Sequence, residues 1–335
     1  MQLVVNPRGI DREIHDRIHT LQPGQFGGTL SWYNIKSRDE EHTDGIGAAE
    51  AIRLLESNHP EKTGKPFFLA VGFYRPHTPY VAPSHWFDKY PKDRIQPVLE
   101  KTGDRDDIPL AALADRPGQR ELTIEKRKEI IQAYYASVSL MDAQVGRLLD
   151  TLDRLKLTDN TVVVFISDHG YHLGHHGLWQ KGDLFEGSAR VPMIVSSPGM
   201  KNAGRKTKAV TELVDLYPTI AELCDLDLPD DLKGHSVVPA LNDTSHSGKA
   251  GAMTVAWSRG GRMHKEIRGK NIKGYTVRTP RYRYTEWGGG KFGTELYDYQ
   301  ADPDEFTNQA ESEKHAEIVA RLKKLLKESV QRAQP

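Results

Sequence analysis

One cysteine, Cys224, stands among 335 residues, so no disulfide can form within the chain, and stability has to come from its core and polar contacts. That scarcity leaves the compartment undecided, because many exported bacterial proteins also lack disulfides. Excess charge of either sign is missing too: 46 basic residues balance 46 acidic ones. A balanced chain has no overall attraction to nucleic acid or to an anionic membrane surface. No apolar run approaches the roughly 20 residues that span a bilayer. Residues 1–8 hold an apolar stretch too short for a signal peptide, with no small-residue cleavage site after it. Internal repeats and low-complexity tracts are absent. What is present is a long chain able to bury a large core, within the size range of α/β folds.

Periodicity places the elements. Residues 1–43 are polar, with scattered Gly and Pro, and read as an irregular lead-in. Ile46, Ala49, Ile52, Leu54 and Leu55 predict a helix over 44–57, and the apolar run 66–74 predicts a buried strand. Residues 75–120, rich in Pro, Asp, Arg and Lys, read as a long surface excursion. Ile131, Tyr134, Val138, Met141, Val145, Leu148 and Leu152 recur at steps of three and four, which predicts a helix over 123–155. The β-branched run 161–166 predicts a strand buried on both faces of a parallel sheet. A short strand at 191–196 and a helix at 215–224 follow. Beyond about 245 the texture changes, with strands expected at 252–257, 273–279, 281–287 and 294–299 and a charged helix at 311–332. That stretch predicts a small antiparallel sheet with a covering helix.

The chemistry concentrates where the strand 161–166 opens into Ser167-Asp168-His169-Gly170. Ligands of open parallel sheets bind beyond the carboxyl ends of the strands. Asp168 offers hard oxygen ligands, His169 offers a ring nitrogen, and Gly170 lets the backbone turn. A polar turn after a strand would look the same, so these residues alone leave a turn and a metal half-site open. His172, His175 and His176 lie just downstream; with His169 they would suit zinc chemically, but their spacing does not show convergence. Tyr171 and Trp179 read as pocket lining or as packing.

Taken together, Ser167 to Gly177, then Lys181 and Arg190-Val191-Pro192-Met193-Ile194, resemble the second half of the sulfatase pattern. The subgroup most resembled is iduronate-2-sulfatase and its bacterial relatives. Phe67-Phe68-Leu69-Ala70-Val71-Gly72-Phe73-Tyr74-Arg75-Pro76-His77, Asp142-Ala143-Gln144-Val145-Gly146-Arg147 and Glu212-Leu213-Val214-Asp215-Leu216-Tyr217-Pro218-Thr219 agree in order, from about residue 44 to about 305. The resemblance implies an α/β fold of the alkaline-phosphatase-like type. A mostly parallel sheet flanked by helices, incomplete at its N-terminus, would occupy 1–245, and a C-terminal antiparallel subdomain 246–335. It implies a divalent cation, Ca2+, held in part by Asp168 and His169. Lys181 is expected to bind the ester oxygens. His77, stiffened by Pro76 and Pro79, would contact the sulfate and donate a proton to the leaving oxygen. Arg75 and Tyr171 would add substrate contacts. A sulfated sugar or glycosaminoglycan-like substrate and a periplasmic or extracellular location go with the resemblance.

One departure bears on all of this. The family nucleophile is formylglycine, made from the cysteine of a Cys-x-Pro-Ser-Arg stretch that is absent here. Cys224 has no Pro-Ser-Arg after it and reads as a small buried hydrophobe. The early Asp-Asp pair is absent as well. The chain is therefore expected to start partway through the family fold, with the missing N-terminal segment as its partner. Exposed apolar strand edges at 66–74 and 161–167 would then make it poorly soluble alone. Three readings remain open: a sulfuric ester hydrolase, a phosphohydrolase or phosphonate hydrolase of the same superfamily, and a non-catalytic remnant that binds an anionic glycan or a protein.

Overall fold

The computed structural model describes residues 5–334. The chain is α/β, with mixed sheet and flanking helices first and a smaller antiparallel sheet with a long helix at the end. It gathers into two compact units, one of Met1–Val98 and Pro117–Asp159, the other of Leu99–Arg116 and Asn160–Pro335. The boundary expected near 245 falls inside the second unit.

In the first unit the helix Ile124–Arg154 starts where Thr123 caps it, its hydroxyl accepting from the Lys126 amide at 3.2 Å. Its buried stripe, Ile130, Ala133, Ala136 and Leu140, packs on the helix Thr43–Ser57 and on the strand Tyr80–Pro83. That strand runs parallel to Ser31–Ile35, which pairs on its other side antiparallel to His19–Thr20. Two sequence expectations change here. The supposed lead-in supplies a strand and the buried Ile14, Ile18 and Ile35. The supposed surface excursion supplies Tyr80, Val81 and Ala82, all fully buried. Apolar side chains decide the matter in both stretches, although polar and Pro neighbours dilute the signal.

The run 66–74 differs in the other direction. It is extended but joins no ladder among the described residues, and its side chains alternate between half-buried and exposed, with Phe68 at 83%. In the second unit, Val163–Ile166 pairs antiparallel with Met193–Ser196 and, among the described residues, with no further strand. A two-stranded ribbon cannot cover both its faces, so Ile166 is exposed and Ile194 reaches 61% exposure.

The C-terminal sheet needs no such qualification. Ala252–Trp257, Lys273–Arg278, Tyr282–Trp287 and Thr294–Asp298 form an antiparallel meander. The helix Ala316–Ala333 lays Leu322 and Leu326 against Val277, Tyr284 and Leu296. The opposite side of the sheet shares a core with Ile108, Leu178, Leu184 and Phe185 around Trp287 and Tyr297. Among the described residues no helix is long and apolar enough to cross a membrane.

Candidate active site

In the first unit, Arg75 and His77 follow the extended run through a turn in which the His77 amide donates to the Tyr74 carbonyl at 2.8 Å. Asp44, in the first turn of its helix, clamps that turn: its carboxylate accepts from the amides of Tyr74 at 2.8 Å and Arg75 at 2.9 Å. Burial nevertheless holds the Asp44 pKa above its ordinary value. The sequence places Arg75 at the substrate, but the structure turns its buried guanidinium inward. It donates to Asp11 at 2.5 Å and to the carbonyls of Val81 and His77, each at 3.1 Å. Asp11 also accepts from the Thr43 amide and hydroxyl, at 2.7 and 2.8 Å. Arg75 thus positions the His77 backbone. The exposed His77 ring donates from Nδ1 to the Thr78 carbonyl at 2.8 Å, which fixes a proton on Nδ1.

The second unit holds Asp168, His169, Tyr171 and Lys181. His169 Nδ1 donates to the Gly170 carbonyl at 2.8 Å, and its Nε2 lies 3.5 Å from Asp168 Oδ2. The Asp168 side chain is 85% exposed. Gly170 is required for close approach: a Cβ there would lie 2.3 Å from the Gly187 carbonyl oxygen. Ser188, which the sequence reading did not single out, ties the two loops together. Its carbonyl accepts from the Gly170 amide at 2.8 Å and its hydroxyl from the Gly182 amide at 3.1 Å. Lys181 is half-buried, its Nζ 6.0 Å from the centre of the Tyr171 ring. Burial and the neighbouring Arg116 hold the Lys181 pKa below its ordinary value, Asp168 opposes them, and Arg259 adds to them. Arg116 also donates to the Lys181 carbonyl at 3.1 Å.

The short helix Glu186–Ala189 that follows is fastened to the C-terminal sheet. Glu186 accepts from Arg278 at 3.2 Å, from buried Arg283, and from the Tyr299 hydroxyl at 3.3 Å. Its amide donates to Glu305 at 2.8 Å. Arg283 pairs with Glu305 as well, at 3.1 Å.

The expected calcium site is corrected. Among the described residues no group of three or more His, Cys, Asp or Glu is placed to hold a metal ion. Asp168 and His169 remain a pair, and a divalent cation takes more ligands than two. The downstream histidines do not supply the rest. His172 meets Asp183 at 3.0 Å and His176 meets Asp104 at 3.0 Å, each buried with its own carboxylate. Although burial lowers its pKa, His172 ends above its ordinary value because Asp183 stabilises its proton. Cys224, expected to be buried, is exposed at the end of the helix Leu216–Leu223.

Comparison with known proteins gives the same family reading as the motif. The profile of the sulfatase family matches residues 18–226, and that of the N-sulphoglucosamine sulphohydrolase C-terminal region matches 174–332. A sulfatase of Formosa agariphila is 32% identical over 310 residues, covering 90% of this chain and 57% of that protein. The iduronate 2-sulfatase of Mus musculus is 30% identical, covering 73% of this chain and 56% of that protein. The chain therefore spans little more than half the length of the curated relatives it matches. Among solved structures, a phosphonate monoester hydrolase of Silicibacter pomeroyi superposes with a TM-score of 0.76 at 23% identity, over 89% of this chain and 62% of that one. At that identity the likeness is one of fold.

Proposed function

The chain belongs to the sulfatase family, and from that premise we propose that it carries the anion-holding part of a hydrolase acting on the sulfate ester of a sugar. The observation that carries the reading is Lys181: a half-buried ammonium beside Tyr171, with Arg116 and Arg259 adding to a positive field. A fixed cation in a partly dehydrated site stabilises charge developing on a leaving oxyanion, which is the main source of rate in such reactions. For His77, whose Nδ1 is engaged by the Thr78 carbonyl, the family resemblance supports the role of a proton donor through Nε2. The sugar sulfate is suggested by the relatives, which include an iduronate 2-sulfatase. The family nucleophile is not among these residues, so the proposal concerns binding and orientation.

A second reading, a phosphonate monoester substrate, is favoured by the superposition on a phosphonate monoester hydrolase. Both esters present a tetrahedral anion to the same lysine. Calorimetric titration of the chain with 4-nitrophenyl sulfate and with 4-nitrophenyl phenylphosphonate separates them by which binds more tightly. Lys181→Gln is expected to weaken the preferred anion about tenfold or more, the scale of one charge-assisted hydrogen bond. Unchanged affinity in that variant would remove the basis of both readings.

A further inference from the structure

The hairpin that carries Tyr171 and Lys181 is built over a buried histidine. Its strands, His172–Leu173 and Trp179–Gln180, pair antiparallel with His172 opposite Gln180. Tyr171 and Lys181 flank that pair, one residue outside it on either side. Lys181 stands between two left-handed residues, buried Gln180 at φ 72° and Gly182 at φ 117°. Gly182 has no room for a side chain, because a Cβ there would lie 2.5 Å from Arg259 Nε. Gln180 pays a strain that glycine escapes, and such a residue persists only where its surroundings hold it.

Those surroundings meet at His172. Its Nε2 lies 3.0 Å from Asp183 Oδ1, and the Phe185 amide donates to the same oxygen at 3.1 Å. Both side chains of the pair are buried. Asp183 lies two residues beyond Lys181, so the pair ties the end of the turn back to the strand where the hairpin begins. The ring also rests on the helix Glu186–Ala189, with its Cε1 only 2.7 Å from where a Cβ on Gly187 would stand. His172 Nδ1 makes no hydrogen bond among the described residues, so hydrogen bonding orients the ring through Asp183 alone.

We propose that the His172–Asp183 pair is the positioning device of the candidate site: it holds the strained turn that presents Lys181, keeps Tyr171 beside the ammonium, and acts on a bound anion only through them. Apolar side chains of the same volume would pack there with little or no loss of stability. The contribution of the pair is therefore directional, one donor meeting one acceptor across the hairpin. Burial acts to lower the His172 pKa, but Asp183, aided by Glu305, holds it above its ordinary value. The inference rests on the reading of Lys181 given above, and its test reads the lysine itself, so that each can fail alone.

Competitive acylation of the full chain over a pH series, followed by mass spectrometry, gives the pKa of the Lys181 amine. Calorimetry gives the affinity for 4-nitrophenyl sulfate. His172→Phe keeps a ring but removes the donor. It should release Lys181 from Arg116 and Arg259 and raise its pKa toward the ordinary 10.5. It should also weaken the aryl sulfate about tenfold or more, the scale of one charge-assisted hydrogen bond. His172→Gln, whose side-chain amide donates from the place of Nε2, should restore most of both. A ring that merely fills space gives the reverse order, native-like for Phe and disturbed for Gln; that order, or equal behaviour of the two, overturns the proposal. Should the lone buried carboxylate unfold His172→Phe, the variant His172→Phe/Asp183→Asn removes the charge, keeps an acceptor for the Phe185 amide and takes its place in the comparison. If Lys181→Gln leaves the affinity unchanged while the Lys181 pKa follows the expected order, the anion reading fails and the positioning role stands. If Lys181→Gln weakens binding but the Lys181 pKa does not respond to His172, the positioning role fails and the anion reading stands.

Discussion

Asp11→Ala tests how the loop carrying His77 is held. In the native protein the carboxylate accepts from the Arg75 guanidinium and from the amide and hydroxyl of Thr43, with all three residues buried. Truncation leaves a buried guanidinium without its counter-ion, which costs about 3–5 kcal/mol in comparable sites. The two Thr43 donors lose their acceptor as well, adding about 1 kcal/mol or more. A domain stable by about 5–15 kcal/mol would retain its fold with little margin. Urea denaturation followed by tryptophan fluorescence gives the loss, and hydrogen exchange localises it to the amides of Thr43 and Arg75. Adding Arg75→Met removes the stranded charge, so the double variant should be at least about 1 kcal/mol more stable than Asp11→Ala alone. Burial acts to raise the Asp11 pKa, but Arg75 and Thr43 outweigh it and hold it below its ordinary value. The stability it supplies is therefore present above the unfolded pKa near 3.8 and is lost as pH falls through the depressed value. A loss under about 1 kcal/mol, or a double variant no better than the single, would refute the argument.

Other outcomes follow from the same structure. His42 is buried beside Ser37, and burial with the Arg75 charge pushes its pKa down to about 4 against opposing pulls from Asp11, Asp39 and Glu41. The unfolded chain takes up that proton first, so stability should fall by about 3 kcal/mol between pH 6.5 and 4. In His42→Gln the acid limb of the melting curve should flatten, and an unaltered limb would count against the assignment. Glu295 behaves oppositely. Burial lifts its pKa to about 7 despite hydrogen bonds from Trp287 at 2.7 Å and Tyr297 at 3.1 Å. The folded state keeps this proton longer than the unfolded one, so stability falls as pH rises from about 4.5 to 7; Glu295→Gln should raise the melting temperature above pH 7. Ile194→Lys places a charge where an exposed apolar side chain now stands on a strand with one partner among the described residues. It should change stability by no more than about 0.5 kcal/mol while reducing light scattering of the isolated chain; undiminished scattering would locate the sticky surface elsewhere.

How much could be read in advance depended on whether an element's determinants were local. The strands expected at 252–257, 273–279, 281–287 and 294–299 form at Ala252–Trp257, Lys273–Arg278, Tyr282–Trp287 and Thr294–Asp298, because Thr, Tyr and Trp alternate within short antiparallel neighbours. The helix Ile124–Arg154 followed from its three-and-four stepping. Burial of 66–74 and of Val163–Ile166 was overestimated, since an unbroken apolar run reports what a strand could pack against and not what covers it. At the candidate site, Asp168, His169, Tyr171 and Lys181 were expected by resemblance, whereas Ser188, Arg116 and Arg259 make loop contacts that no spacing encodes. The calcium expectation failed on the same ground. A two-residue motif cannot reveal whether further ligands converge on it, and among the described residues none do.

Glu186 fastens the helix behind Lys181 to Arg278 and Arg283 of the C-terminal sheet. Ancestry is constrained by that knot. A recombination that replaced the final sheet with one from a distant homologue would import different strands yet leave an acidic orphan at the base of the lysine loop. Only donors carrying basic residues at the two matching positions could be exchanged without penalty. The two segments should therefore be inherited together, and their substitutions across descendants should be correlated.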